Sequence, residues 1–168
     1  MAQMTNSFCQ AAPELLRQHG VDAVVTDQME PAGALVADHL HLPYVSLAAA
    51  HPINREPLIP LPVLSWAYED SDKALKRNRV GEWIADHLTA AHDRTIQDWS
   101  AQWGLSPRQR LVDCLSPLAD ISQLVPGLDF PRRELPDTFH YVGPLRGGKH
   151  ELSQGMSRFN DARPLVYA

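Results

Sequence analysis

Asp27 has the position in this sequence that is best suited to contact a ligand. It directly follows a β-branched apolar run, Ala23 to Thr26, that predicts a buried strand. Ligands of open α/β sheets bind outside the carboxyl ends of the strands, so a carboxylate there can point into a cleft. A capping role competes with this interpretation. Asp27 with Glu30 fits a capping box, whereas Pro31 as first helical residue would make Glu30 the cap.

A second group of polar side chains follows the next apolar run. His51 comes just after the predicted strand Tyr44 to Leu47, which places it at the same edge of the sheet as Asp27. Asn54 opens a polar triplet inside an apolar, proline-rich stretch. Such a loop is typical of an apolar pocket wall with a few oriented polar groups, or of a surface loop that prolines stiffen.

Other chemistries have little support in the sequence. The 8 histidines show no spacing of convergent metal ligands, and the 2 cysteines form no CxxC motif and have no histidine at catalytic spacing. We therefore expect no metal. The net charge of −5 gives no basic footprint, so nucleic acid is not an expected partner. No apolar stretch reaches the roughly 20 residues of a spanning helix, and residues 1–8 do not resemble a signal peptide, which predicts a cytoplasmic protein.

The elements that must position these residues alternate along the chain. A helix is predicted over Gln3 to Gln18, a strand over Ala23 to Val25, and a helix that opens at Pro31 and ends before Pro43. The strand Tyr44 to Leu47 follows. Because a helix between two buried strands is the signature of a parallel crossover, we predict an α/β fold with a parallel, Rossmann-like sheet.

The remainder of the chain is predicted to contain a long loop and a long helix. Prolines interrupt Ala48 to Tyr68, and the charged run that follows is interpreted as a solvated face. A helix is predicted from Gly81 to Trp103, with an inner stripe made of Trp83, Ile84, Leu88, Ala91, Trp99 and Trp103. A shorter helix after Pro107 and strands over Ile121–Val125 and Phe139–Val142 are also predicted.

Three segments resemble the N-terminal domain of UDP-dependent glycosyltransferases with the two-domain GT-B fold. They are VDAVVTDQMEPAGALVADHLHLPYVSLA at Val21–Ala48, SPLADISQLVPGLDFPR at Ser116–Arg132, and YVGPLR at Tyr141–Arg146. The resemblance covers nearly the whole chain. Within the family, the segments are similar to those of the carotenoid-modifying members. It implies that residues 1–145 are part of the acceptor-binding domain, that 146–162 are an interdomain linker, and that 163–168 open the nucleotide-sugar domain.

The resemblance also implies an activity. It is the transfer of glucose from UDP-glucose to a hydroxyl of zeaxanthin, with inversion at the sugar carbon and without a metal. By motif, Asp27 corresponds to the carboxylate that orients a catalytic histidine and stabilises its imidazolium. That histidine and the UDP-sugar motif are expected outside this chain, which would then be inactive alone.

The acceptor is expected to contact a further set of side chains. Those assigned to acceptor binding are Met29, His51, Asn54, Leu61 and Trp66. The uncharged stretch Pro57 to Tyr68 is expected to line the acceptor entrance and to contact the inner membrane surface. The alternative is a non-catalytic α/β module that binds a carotenoid or a protein partner. A phosphoacceptor domain is disfavoured because Asp27 lacks the neighbouring acids that hold Mg²⁺.

Overall fold

The computed structural model describes residues 1–145, which contain three α-helices and four β-strands. In chain order these are α1 (Ala2–Gln18), β1 (Val24–Asp27), α2 (Ala32–His39), β2 (Tyr44–Ala48), α3 (Asp72–Gln102), β3 (Asp120–Ser122) and β4 (Phe139–Tyr141). Two short 3₁₀ turns cover Leu111–Cys114 and Pro126–Leu128. The predicted linker over 146–162 and strand over 163–168 lie outside the described residues.

The four strands form one parallel sheet in the order β1-β2-β3-β4, which confirms the predicted α/β fold. Val24 pairs with Tyr44, and Ser46 pairs with Asp120. Because every strand runs the same way, all four carboxyl ends meet at one edge of the sheet. We call this edge the carboxyl edge. Asp27, the end of β2 and the loops after β3 are gathered there.

Helix α2 lies unusually close to β1 because its second residue is a glycine. A Cβ built on Gly33 would collide with Thr26 Oγ1 and Cβ. The Thr26 hydroxyl instead donates to the Glu30 backbone oxygen at 3.2 Å. Leu35 and Val36 of α2 are buried against α1 and against Trp99 of α3. This packing fixes the turn that carries Asp27.

Helix α3 is 31 residues long and begins at Asp72, so the predicted start at Gly81 is wrong. Ser71 is the N-cap residue of the helix, because its side chain accepts the Ala74 backbone N–H at 3.2 Å. Gly81 is a buried position inside the helix, where the Trp66 ring crosses it. A Cβ there would lie 2.8 Å from Trp66 Cζ3. The charged run before Gly81 therefore forms the first turns of α3.

The predicted inner stripe of α3 is also largely wrong. Trp99 is buried as expected and donates from Nε1 to Asn6 Oδ1 at 3.1 Å. Trp83, Ile84 and Leu88 are exposed instead. The residues that α3 buries are Ala74, Asn78, Gly81, His92, Ile96, Trp99 and Ser100. Small and hydrogen-bonding side chains let the helix approach its neighbours, and hydropathy periodicity does not detect them.

The long loop predicted after β2 is confirmed, since residues 49–71 contain no helix or strand. The strands predicted over Ile121–Val125 and Phe139–Val142 are present but shorter, as β3 and β4. The helix predicted after Pro107 is reduced to the 3₁₀ turn at Leu111–Cys114. Within residues 1–145, no helix has both the length and the apolar character that crossing a membrane requires.

Candidate functional site

Asp27 lies exposed at the carboxyl end of β1. Its Oδ1 accepts the Met29 backbone N–H at 2.7 Å, which closes a local turn. At the start of α2, Glu30 Oε1 accepts the Ala32 N–H at 3.1 Å. The helix begins at Ala32 with Pro31 as its N-cap residue, so Pro31 is not the first helical residue, and the capping box of Asp27 with Glu30 is not formed. Within the described residues the second oxygen of Asp27 has no hydrogen-bond partner and is available to a ligand.

Gln28 connects the end of β1 to the loop after β2. Its side chain is buried and makes two hydrogen bonds. Nε2 donates to the His51 backbone oxygen at 2.8 Å, and Oε1 accepts the Ile53 N–H at 3.1 Å. The residue next to Asp27 therefore holds the segment that carries His51. Sequence reasoning did not identify Gln28, since a single buried glutamine gives no pattern.

His51 has a buried carboxylate as its partner. Its Nδ1 lies 3.3 Å from Asp129 Oδ1, and its side chain is 41% exposed while that of Asp129 is 0% exposed. Asp129 Oδ2 also accepts from Arg132 Nε at 2.8 Å and from the Tyr141 hydroxyl at 2.7 Å. Burial raises the pKa of Asp129, but the bonds from Tyr141 and Arg132 outweigh it and hold the pKa below its ordinary value.

The pair gives the carboxyl edge an oriented imidazole. With Nδ1 facing a permanent carboxylate, the exposed ring can hydrogen-bond a hydroxyl or accept its proton at Nε2. In the sequence, Asp129 belongs to a segment that resembles glycosyltransferases but has no role assigned to it. The rule applied to Asp27 and His51, that polar residues following a strand are candidates, also applies to the loop after β3. It would have indicated Asp129.

Arg132 holds the walls of this site together. Its side chain is 2% exposed. It donates from Nη1 to the Asn54 backbone oxygen at 2.7 Å and from Nη2 to the Pro52 backbone oxygen at 2.9 Å. Together with its bond to Asp129, these contacts join the loop after β2 to the loop after β3. The polar stretch around Asn54 is thus a fixed wall and not a free surface loop.

Asn54 and Asp120 lie deep behind this wall. Within the described residues, Asn54 Oδ1 and both carboxylate oxygens of Asp120 are buried and lack a well-formed hydrogen bond. Burial raises the pKa of Asp120, while the neighbouring Asn54 amide and Arg132 charge act in the opposite direction. The Asn54 side chain is therefore placed beside a buried carboxylate and not at an exposed surface.

A cavity of about 600 Å³ opens beside the proline-rich loop. The loop supplies Pro57, Leu58, Ile59 and Tyr68 to its lining, while the start of α3 and the segment after Asp129 supply Leu75 and Arg133. Leu61 is half-buried, and neither it nor Trp66 lines this cavity.

Trp66 makes contacts that stabilise the loop. Its ring packs on Gly81, and the Arg77 guanidinium lies 5.1 Å from the ring centroid. Met29 is 42% exposed beside Asp27. In residues 1–145, no group of three or more histidine, cysteine or acidic side chains is arranged to hold a metal ion.

Two known proteins match this chain over its whole length. The chain is 49% identical over 170 residues to the zeaxanthin glucosyltransferase of Pantoea ananas, and 52% identical over 168 residues to that of Pseudescherichia vulneris. Both alignments cover 100% of the chain, but they cover 39% and 40% of the two relatives. The chain therefore spans about two fifths of the length of the curated relatives it matches. No family model matches it. The resemblance to glycosyltransferases is confirmed.

Proposed function

We propose that this chain forms part of the acceptor-binding half of a glucosyltransferase that moves glucose from UDP-glucose to a hydroxyl of zeaxanthin, with inversion at the sugar carbon. The observation that carries the proposal is the identity of about one half, over the whole chain, to two proteins of that name. The parallel sheet, with its polar groups gathered at the carboxyl edge, supports a ligand site there.

Asp27 supplies the negative charge that the transfer requires. A sugar hydroxyl or alcohol is a weak nucleophile, so a base must take its proton as the new glycosidic bond forms. If that base is a histidine outside this chain, it becomes an imidazolium. The exposed carboxylate of Asp27, with one oxygen uncommitted, can orient and neutralise it. The UDP leaving group departs with the electron pair of the broken bond.

His51 binds the acceptor hydroxyl in this scheme. Asp129 fixes the imidazole, and the ring is exposed enough to meet a ligand. Met29 flanks Asp27 at the same edge and offers an apolar contact. The polyene of zeaxanthin, which is long and apolar, then extends toward the cavity beside the proline-rich loop, where Leu58 and Ile59 are found. The protein works at the inner membrane face, where such an acceptor is found.

The direct test is an assay of the protein made from its complete gene. Incubation with UDP-glucose and zeaxanthin should yield the mono- and diglucoside, separable by chromatography, and omission of either substrate should abolish both. A protein that binds zeaxanthin but never consumes UDP-glucose would support a non-catalytic module instead. Tight calorimetric binding of UDP to residues 1–168 alone would contradict an acceptor-binding role for them.

The proline-rich loop provides a separate test of acceptor binding. Leu58→Asp places a charge in the lining of the cavity that the polyene is proposed to enter, so the KM for zeaxanthin should rise about tenfold while that for UDP-glucose stays constant. Leu118→Asp, at an exposed leucine outside this loop, is the matched control. An unchanged acceptor KM in a folded Leu58→Asp variant would place the acceptor elsewhere.

A further inference from the structure

The segment 51–54, which carries His51, is fixed by side chains from outside its own loop. Its residues belong to no helix or strand, so no ladder of backbone hydrogen bonds holds them. Each of the four instead has one backbone oxygen or N–H bonded to the side chain of Gln28 or of Arg132. Pro52 is fully buried within the segment, and its ring restricts φ. The position of the His51 ring is therefore set by these two side chains.

Gln28 and Arg132 connect the segment to different parts of the molecule. Arg132 lies after β3 and joins the segment to Asp129. Gln28 directly follows Asp27, and its backbone N–H donates to the Leu47 oxygen at 3.0 Å, which extends the pairing of β1 with β2 by one residue. Gln28 is consequently held by the sheet at its backbone and by the segment 51–54 at its side chain.

This arrangement makes one side chain responsible for the separation of Asp27 and His51. The carboxylate of Asp27 is fixed to its own turn, because Oδ1 accepts the Met29 N–H at 2.7 Å. The Gln28 amide extends from that turn to the His51 backbone oxygen at 2.8 Å. Asp129 orients the imidazole, whereas Gln28 sets how far the segment that carries the imidazole lies from Asp27.

We propose that Gln28 is a positioning residue for glucosyl transfer, because it sets the distance between the carboxylate of Asp27 and the imidazole of His51. The inference rests on the proposed function, in which Asp27 orients the catalytic base and His51 binds the acceptor hydroxyl. That base and that hydroxyl must meet at hydrogen-bond distance, and a misplacement of about 1 Å can cost about 10²-fold in rate. Gln28 is 5% exposed, so it acts through its two neighbours in space and not on the substrate.

Gln28→Met tests this role in the complete protein, because it keeps the length of the side chain and removes both hydrogen bonds. The KM for zeaxanthin should rise about tenfold and kcat should fall about tenfold, while the KM for UDP-glucose stays constant. Gln97→Met is the matched control. Gln97 also donates from Nε2 to a backbone oxygen, that of Gln109, but it joins α3 to the loop before β3. Wild-type kinetic constants per folded Gln28→Met protein, whatever its melting temperature, would overturn the proposal.

Gln28→Glu provides a second variant, whose side chain can regain both bonds. A protonated carboxyl group donates one O–H to the His51 oxygen and accepts the Ile53 N–H, as the amide does, whereas an ionised one only accepts. Burial beside a carbonyl oxygen raises the pKa of a carboxyl group, so kcat/KM for zeaxanthin, relative to wild type at the same pH, should recover about fivefold between about pH 8 and about pH 6. Gln28→Met should show no recovery. An equal loss in both variants at every pH would mean that the reaction does not depend on these bonds.

Binding of zeaxanthin without UDP-glucose distinguishes this inference from the proposed function. The Kd of the complete protein for detergent-solubilised zeaxanthin, measured by quenching of tryptophan fluorescence, should rise about tenfold in Gln28→Met and stay constant in Gln97→Met. A wild-type protein that binds zeaxanthin but transfers no glucose would contradict the proposed function alone, since the rise in Kd would still be expected. An unchanged Kd in Gln28→Met, with glucosyl transfer intact in the wild type, would overturn the positioning role alone.

Discussion

A buried polar cluster ties the three helices together through individual side chains. The Thr5 hydroxyl lies 2.9 Å from Glu30 Oε1 and 3.0 Å from His92 Nε2. Thr5 is on α1, Glu30 bonds the first residue of α2, and His92 is on α3. Burial lowers the pKa of His92 below its ordinary 6.5, although Glu30 and Asp93 oppose the change. The imidazole is therefore neutral when the chain is folded at neutral pH.

The lowered pKa of His92 predicts that the fold becomes less stable in acid. Below the ordinary pKa of 6.5 the unfolded chain binds a proton at His92 that the folded chain does not, so the free energy of unfolding falls as pH decreases through that value. Urea unfolding at several pH values should give a slope that is smaller in His92→Gln. His39, whose pKa is also lowered, leaves a residual slope of the same sign. A full wild-type slope in His92→Gln would contradict this assignment.

At the residue scale, the sequence predicts candidate site residues better than the side chains that contact them. Asp27 and His51 could be identified because each follows a strand, and the structure places both at the carboxyl edge. Asp129, which orients His51, lies 78 positions away in the sequence. Only the path of the loops brings the two together, and local patterning contains no information about that path.

At the scale of elements, the close approach of α2 to β1 predicts the effect of a single methyl group. Gly33→Ala would force a Cβ into Thr26, so the helix must shift from the strand that carries Asp27. Overpacking of this kind costs about 1 to 3 kcal/mol of unfolding free energy. Gly127→Ala is the matched control, because a methyl group at that position would have no atom within 4 Å of it. Equal stability of the two variants in denaturant titrations would rule out the steric argument.

The contacts of Arg132 between two loops predict a second effect on the free energy of unfolding. Replacing Arg132 by methionine leaves the buried Asp129 charge without its guanidinium and frees the loop after β2. Breaking one side of a buried ion pair costs about 3 to 5 kcal/mol. Arg133→Met should cost below about 1 kcal/mol, because its pair with Asp70 is exposed on both sides. Similar denaturation midpoints for the two variants would show that Arg132 does not hold these loops.

The elements themselves were predictable where the apolar period was strong. The strands β1 and β2 and the helix between them follow directly from β-branched runs and prolines. The start and the buried side of α3 were not predictable in this way. Ser71 begins the helix inside a charged run, and Gly81 and Asn78 face the interior where hydropathy would place Trp83. In the first half of α3, close packing buries Ala74, Asn78 and Gly81 and leaves Val80, Trp83 and Ile84 exposed.

At the scale of the whole molecule, the fold class and the location of the site follow from one property. A parallel sheet brings all its carboxyl ends to one edge, so the order of strands decides which loops can share a site. Here that order is sequential, and Asp27, His51 and Asp129 come from the ends of successive strands. This arrangement does not indicate a particular substrate. The proposed one is supported by the similarity to two relatives, of whose length the chain spans about two fifths.

The most direct measurement is the turnover of Asp27→Asn in the complete protein, compared with Asp22→Asn. Both aspartates are exposed; Asp27 is the last residue of β1, and Asp22 lies two residues before the strand begins. An asparagine keeps the oxygen that accepts the Met29 N–H, so the fold should be retained while the charge is lost. We predict that Asp27→Asn lowers kcat for glucosyl transfer about 10² to 10⁴-fold and that Asp22→Asn leaves it unchanged. Turnover of Asp27→Asn within about threefold of wild type would contradict the proposed catalytic role.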